Sequence, residues 1–314
     1  MPRIAYLGPE GTFTEVALLQ MVTHEMVPGL EPAAGDAKAR FTGVLTDSTP
    51  GALAAVRDGR ADYACVPIEN SIEGSVLPTL DSLAVGKPLQ IYAELVLDVA
   101  FAIVTRPGHT GPVQTVAAFP VALAQVRRWL AANLPDASVV PATSNAAAAQ
   151  EVAEGKADAG VSTRLAAERY GLEILAADVV DEANARTRFV LAGPPGVPPR
   201  ATGADRTSVV LRLDNTPGAL VTAMTEFSIR DIDLTRIESR PTRTELGTYM
   251  FFLDCVGHIE DDSVAEALKA LHRRCTDVRY LGSWPTGASA GAPPPRLDEA
   301  TRWLTGLRDG TAGS

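Results

Sequence analysis

The segment "NARTRF" (184–189) sets one hydroxyl between two arginines and runs directly into the apolar "VLAG". In an extended chain, alternation puts Thr187 on the side of Phe189 and Leu191 and sends Arg186 and Arg188 to the other. A hydroxyl removed from water without a partner costs about 1 to 3 kcal/mol on mutational scales. Thr187 is therefore expected to meet a polar group or a ligand. A fixed O–H of this kind can donate a hydrogen bond to whatever occupies that face. Asn184 and Arg188 stand beside it as candidate substrate ligands, and at least one of Arg186 and Arg188 is expected in an ordinary surface ion pair.

Three more polar segments offer matching chemistry. "PIENSIEGS" (67–75) carries Glu69, Asn70, Ser71 and Glu73. At a helix start Glu69 and Glu73 would share a face as an acid pair; the alternative is a capping role, with Asn70 or Ser71 as N-cap and Glu73 near the first turn. "GPEGTFT" (8–14) has the glycines of a phosphate loop but not its lysine or spacing, so Thr12 or Thr14 reads as a helix cap, a use that leaves room for contact with an anion. "TSN" (143–145) adds Ser144 and Asn145. None of His24, His109, His258 and His272 lies in these segments. The chemistry available is that of hydroxyls, amides, carboxylates and arginines.

Positioning those loops requires strands that end together. The strands "RIAYLG", "DYACVPI", "TVAAFP", "SVVPAT", "DAGVS" and "EILAADVV" alternate with amphipathic helical segments up to about residue 180, a pattern that predicts parallel sheets with helices on both faces. In such sheets, ligands sit at the carboxyl ends of strands, which is where all three loops fall. The β-rich stretch 89–108 is too long for one strand and is expected to cross between two sheets. Beyond the Pro/Gly-rich "GPPGVPPRATGAD" the pattern becomes strand, helix, strand, strand, helix, strand, a ferredoxin-like order. Pro217 suits a helix first turn, with Asn215 or Thr216 as cap. The end of the chain reads as a flexible tail with one helical stretch, "RLDEATRWLTGL".

The chain has 314 residues, 46% hydrophobic and 21% charged, with a formal net charge of -10. Two globular domains are the default at this length, and the acidic balance argues against nucleic acid as a partner. No stretch has the length of a membrane span, and the amino terminus lacks a signal-peptide core, so a cytoplasmic protein is expected. Cys65, Cys255 and Cys275 are too few for a disulfide framework. The pattern Cys255, His258, His272, Cys275 has zinc-like spacing, but Cys275 also continues the apolar stripe of Val264, Leu268 and Leu271, and no metal is expected there.

Taken in order, "GPEGTFTE", "VPIENSIEGSV" and "TRF", then "NTPGAL" and "IESRP", resemble the motif series of the monofunctional prephenate dehydratases over residues 1 to about 285. The resemblance implies a two-lobed α/β catalytic domain over 1–193, similar in fold to type 2 periplasmic binding proteins, with its second lobe at about 105–180. A linker at 194–205, a βαββαβ ACT regulatory domain at 206–284 and a tail at 285–314 follow. No chorismate mutase segment is expected. The resemblance further implies that prephenate loses CO2 and water to give phenylpyruvate without a cofactor, in phenylalanine biosynthesis. Thr187 and Phe189 belong to the essential motif, Glu69, Asn70 and Ser71 to the acid–amide motif. Thr187 and Glu69 both remain candidates for proton donor, and Thr12, Asn70, Ser71 and Ser144 for holding the pyruvyl carboxylate. L-Phenylalanine would act as allosteric effector through Asn215, Pro217, Gly218, Ala219, Leu220, Glu238, Ser239, Arg240 and Pro241, at a junction where ACT domains pair into a homodimer or tetramer. An arogenate dehydratase, or a sensor of the same fold that only binds, would carry similar residues.

Overall fold

A computed structural model of the chain describes residues 1–31, 35–181, 185–243, 247–287 and 298–311. Contacts divide it into two compact units, Met1–Ser82 with Leu95–Gly193, and Leu83–Glu94 with Pro194–Ser314.

The first unit opens with β1 (Arg3–Leu7), α1 (Phe13–Thr23), β2 (Thr42–Thr46), α2 (Thr49–Arg57), β3 (Tyr63–Asn70), β4 (Gly74–Ser75) and α3 (Leu77–Ala84). β5 (Gln90–Asp98) comes next, its residues up to Glu94 belonging to the second unit, and the chain then passes to a second lobe of β6 (Phe101–Thr105), β7 (Thr115–Ala118), α4 (Pro120–Asn133), β8 (Ser138–Pro141), α5 (Asn145–Ala153), β9 (Ala159–Ser162), α6 (Arg164–Tyr170) and β10 (Glu173–Val179). It returns to the first lobe as β11 (Arg186–Gly193). The sheets run β2-β1-β3-β11-β5 and β10-β6-β9-β7-β8. As expected, the stretch 89–108 breaks into strands of different sheets. The break lies at Val99 and Ala100, and Val99 N–H donates to the Ala185 carbonyl at 2.7 Å where the chain comes back.

The sheets are mixed, not parallel as alternation predicted. β1 is parallel to β2 and β3, but β11 is antiparallel to β3; in the second lobe β7 is parallel to β8 and β9 while β6 is antiparallel to β9. The reason is connectivity. A strand that returns from the other lobe, with no crossover helix of its own, enters the sheet in the opposite sense. One consequence matters for chemistry: the carboxyl ends of β1 and β3 and the amino end of β11 lie at one edge of the first sheet.

The second unit contains β12 (Asp205–Arg212), α7 (Ala219–Ser228), β13 (Leu234–Pro241), β14 (Tyr249–Val256), α8 (Asp262–Arg274), β15 (Asp277–Pro285) and α9 (Asp298–Arg308). Its sheet order β13-β14-β12-β15 is the predicted βαββαβ arrangement, with Val209, Leu211, Phe227, Leu253, Val264 and Leu271 packed between sheet and helices. α7 starts later than Pro217 suggested. Gly218, at φ 84°, is its N-cap, and no side chain bonds to the helix start; a left-handed turn here leaves Asn215 and Thr216 out of capping position, and glycine takes that conformation without strain.

No described helix is long and apolar enough to cross a membrane. Cys255 lies in the core of the second unit, with Cys275 packed against the same cluster. Burial raises the thiols of Cys65 and Cys255, the latter to about 12; Cys275 is raised less and is only half buried. A thiolate-directed reagent at pH 8 should therefore label Cys275 first. Cys65 and Cys255 should react only at the rate of global unfolding, and their rapid labelling in the native protein would contradict this packing.

Candidate functional site

β3 and β11 bring the predicted residues together. Thr187 pairs with Asn70 and Arg188 with Glu69, but Phe189 pairs with Pro67, which leaves Ile68 as an extra residue on β3. Such a bulge bends the strand and re-aims the side chains beyond it. Just past it the chain turns: Asn70 Oδ1 accepts the N–H groups of Ile72 at 2.8 Å and Glu73 at 3.0 Å. Those two donors fix which end of the amide is oxygen. Its Nδ2 therefore points the other way, and it donates to Thr187 Oγ1 at 2.9 Å.

Here is the polar partner that the hydroxyl was expected to have. Thr187 is 8% exposed. Because Asn70 takes one of its lone pairs, the Thr187 proton is not consumed by this bond, and the hydroxyl can donate to a group in front of the sheet edge. Ser71 closes the junction from the other side. Its N–H donates to the Arg186 carbonyl at 2.8 Å, and its Oγ accepts the Arg186 N–H at 2.9 Å.

The two arginines of the motif part company. Arg186 forms an exposed pair with Asp98 at 2.8 Å, the surface pair expected for one of them. Arg188 is buried and its Nη2 lies 2.8 Å from Glu69 Oε2, with Glu69 half exposed. Alternation alone would have sent both outward; instead, residues on both faces of β11 are buried from Thr187 to Gly193, and only Arg186 at its open end is exposed. Phe189 is 2% exposed and belongs to the core. Glu69 and Glu73 do not share a helix face, contrary to that sequence expectation: one is in β3 and the other in the turn before β4. For the same reason Asn70 and Ser71 cap no helix.

The remaining candidates have structural duties. Thr12 caps α1, accepting the Glu15 N–H at 3.3 Å, and donates its proton to the Leu7 carbonyl at 3.0 Å. Its proton is thus taken up within the fold. Thr14 is buried in the first turn of the same helix. Ser144 caps α5 in the second lobe, accepting the Ala147 N–H at 3.0 Å. Asn145 begins that helix, and its Oδ1 is buried without a hydrogen-bond partner. Asn184 lies outside the described residues. Among the described residues there is no group of three or more His, Cys, Asp and Glu that could hold a metal.

In the second unit, residues 215–218 form an exposed loop into α7, and Glu238, Ser239, Arg240 and Pro241 end the edge strand β13. The loop borders a concavity of about 280 Å³, lined in part by Thr216, Pro217, Ala219 and Arg274.

Sequence reasoning missed a second polar cluster, built on Glu15, Lys38, Thr163 and Arg169. A signal was available. Glu15 shares a helix face with Leu18 and Val22, so an acid stands in the buried stripe of α1, where it needs a partner.

Residues 4–195 match the family model "Prephenate dehydratase" and residues 207–273 match "ACT domain". The chain is 81% identical to a prephenate dehydratase of Mycolicibacterium smegmatis over the full length of both. It resembles a crystal structure of prephenate dehydratase from Arthrobacter aurescens in complex with L-Phe, with 38% identity, a TM-score of 0.84, and 98% of this chain and 100% of that one covered. It also resembles GqqA, a novel type of quorum-quenching acylase, with 30% identity, a TM-score of 0.76, and 90% and 98% covered.

Replacing Thr187 by Val removes the acceptor from Asn70 and should lower stability to urea by about 1 to 3 kcal/mol, the cost of an unsatisfied donor. Thr187→Ser should stay near wild type; equal loss in both variants would mean that shape and not the hydroxyl matters.

Proposed function

Because this chain belongs to the prephenate dehydratase family, we propose that it converts prephenate to phenylpyruvate, CO2 and water. The observation that carries this reading is the hydrogen bond from Asn70 to Thr187, which holds the threonine oxygen in place and leaves its proton available. Electrons of the breaking bond between ring and carboxylate move into the ring, and the carbon–oxygen bond of the 4-hydroxyl breaks with them. CO2 departs, and hydroxide leaves as water once a proton reaches it. Aromatisation drives the step, so the protein needs to supply orientation and one donor, worth about 10² to 10⁴ in rate.

In this reading Thr187 donates a hydrogen bond to the departing oxygen and keeps its own proton, being too weak an acid to release it, and the proton that completes the water comes from solvent. Glu69 was its rival, but a guanidinium at 2.8 Å suits an acceptor carboxylate and not an acid about to give up a proton. Arg188 supplies positive charge to a dianionic substrate in an otherwise acidic protein, and Asn70, Ser71, Thr14, Ser144, Asn145 and Asn184 remain candidates for contact with its carboxylates. Phe189, in the core, shapes the pocket from behind. Local charge and helix starts do the binding, since the net charge of -10 repels anions at long range.

L-Phenylalanine would act in the second unit, at residues 215–220 and 238–241, beside the edge strand β13. β13 is the edge strand of its sheet, and Val221 of α7, Ile237 of β13 and Tyr249 of β14 are exposed around it. A second copy would cover both, giving a dimer and, by further pairing, a tetramer. The relative from Arthrobacter aurescens, solved with L-Phe, supports the effector.

Purified protein at neutral pH should form phenylpyruvate from prephenate well above a blank without enzyme, and Thr187→Ala should lose about 10² or more in kcat. Turnover of arogenate with the larger kcat/KM would transfer the reaction to that substrate, and binding without turnover of either would leave a sensor. L-Phenylalanine should lower kcat/KM by about 5- to 150-fold, the usual range of allosteric coupling, while light scattering reports the assembly.

A further inference from the structure

The loop after β1 is gripped by both lobes at one residue. Gly11 donates its N–H to Glu15 Oε2 at 2.5 Å, and its carbonyl accepts the Thr163 hydroxyl at 2.6 Å. Thr163 is the N-cap of α6 and belongs to the second lobe. Gly11 has φ +90°, and a Cβ there would lie 2.8 Å from Ala166 Cα. Only glycine fits, both for its backbone angle and for the closeness of α6.

Glu15 extends the grip. It is fully buried, and its Oε1 receives Lys38 Nζ from the first lobe and Arg169 Nη2 from α6, each at 2.8 Å. Lys38 also reaches Glu10 at 2.8 Å and the Tyr6 hydroxyl at 3.2 Å. Burial alone would lower the Lys38 pKa, but its bonds to Glu10, Glu15 and Tyr6 leave the ammonium well above its ordinary value. The buried carboxylate therefore has a cation from each lobe and a backbone donor, the full satisfaction that a buried charge requires.

Among the described residues, the chain also crosses between the lobes at Val99 and Ala100, and Phe13 of the first lobe packs against Phe101 of the second. We propose that Arg169 and Thr163 are positioning residues for the dehydratase reaction: with Glu15 and Gly11 they form a clamp that holds the second lobe on the first before substrate arrives. They touch no reacting atom. The clamp keeps the binding-competent arrangement populated, so that substrate binding does not have to select it; when that population falls, apparent affinity falls in proportion. This inference rests on the dehydratase reading for its kinetic arm.

Arg169→Gln is the informative variant, because Glu15 keeps Lys38 and the Gly11 N–H and the fold loses no essential partner. KM for prephenate should rise about tenfold, the effect of a competent fraction reduced to roughly a tenth, with kcat within about threefold. Thr163→Val should shift KM the same way, and Thr163→Ser, which keeps the hydroxyl, should restore it. Hydrogen exchange at residues 8–12 and 164–170 should quicken in Arg169→Gln and Thr163→Val but not in Thr163→Ser. Unchanged KM with a lower melting temperature would make the cluster merely structural and overturn the proposal. Should the wild type fail to turn over prephenate, the dehydratase reading fails instead, and exchange still decides whether the clamp exists: unaltered exchange in Arg169→Gln would refute it.

Discussion

The antiparallel pairing of β11 with β3 is the constraint on which the site depends. It sets Thr187 opposite Asn70, at the edge where β1 and β3 end. Had β11 entered parallel, its amino end would lie at the far edge of the sheet, away from Asn70. Register matters as much as direction. A slip of one residue would turn Thr187 to the other face and offer Arg188 to the amide, and the bonds between Ser71 and Arg186 guard against that slip at the open end of the pair. The Asn70 side chain then does two jobs with one amide, closing the turn with its oxygen and steadying the threonine with its nitrogen.

Local pattern revealed the pieces of this arrangement but not their assembly. Alternation marked Thr187 as inward-facing, the Gly/Thr run marked a helix start at Thr12 or Thr14, of which the structure uses Thr12, and the second unit was legible as βαββαβ because each of its elements is short, periodic and bounded by turn residues. The direction of β11 was not legible, since it follows from a chain that leaves the first sheet at Asp98 and comes back at Arg186. No property of residues 186–193 encodes that journey. The bulge at Ile68 was hidden for a related reason: it exists only relative to a partner strand. β2 escaped notice because it is a half-exposed edge strand containing Gly43, with little hydrophobic contrast to read.

Polar residues carry one systematic ambiguity. Thr12, Ser144 and Asn70 were each attractive as ligand contacts, and the structure engages all three in capping or turn bonds. The two uses are compatible only where a side chain has capacity left over. Asn70 passes a hydrogen bond on to Thr187, Thr12 donates its proton to Leu7, and the carboxamide oxygen of Asn145 is buried without a partner in the second lobe. Counting donors and acceptors therefore separates candidates that residue type alone cannot.

Burial of charge follows one logic in both units. Glu15 sits among Gly11, Lys38 and Arg169 in the first; Glu94 accepts the Trp284 N–H at 2.9 Å and lies 3.3 Å from Arg206 Nε in the second. A buried ion pair adds little net stability compared with apolar packing, yet removing one member is costly. What such groups contribute is a requirement for one geometry, because a carboxylate with several fixed donors tolerates no sliding of its neighbours. Gly11 and Gly282 serve the same end by steric means. A Cβ at Gly282 would lie 2.4 Å from the Ile91 carbonyl oxygen, so the first residues of β5 approach β15 closer than any side chain would allow. Each unit thus joins distant stretches of chain through a buried carboxylate and a glycine contact, and in the first unit the stretches so joined belong to its two lobes.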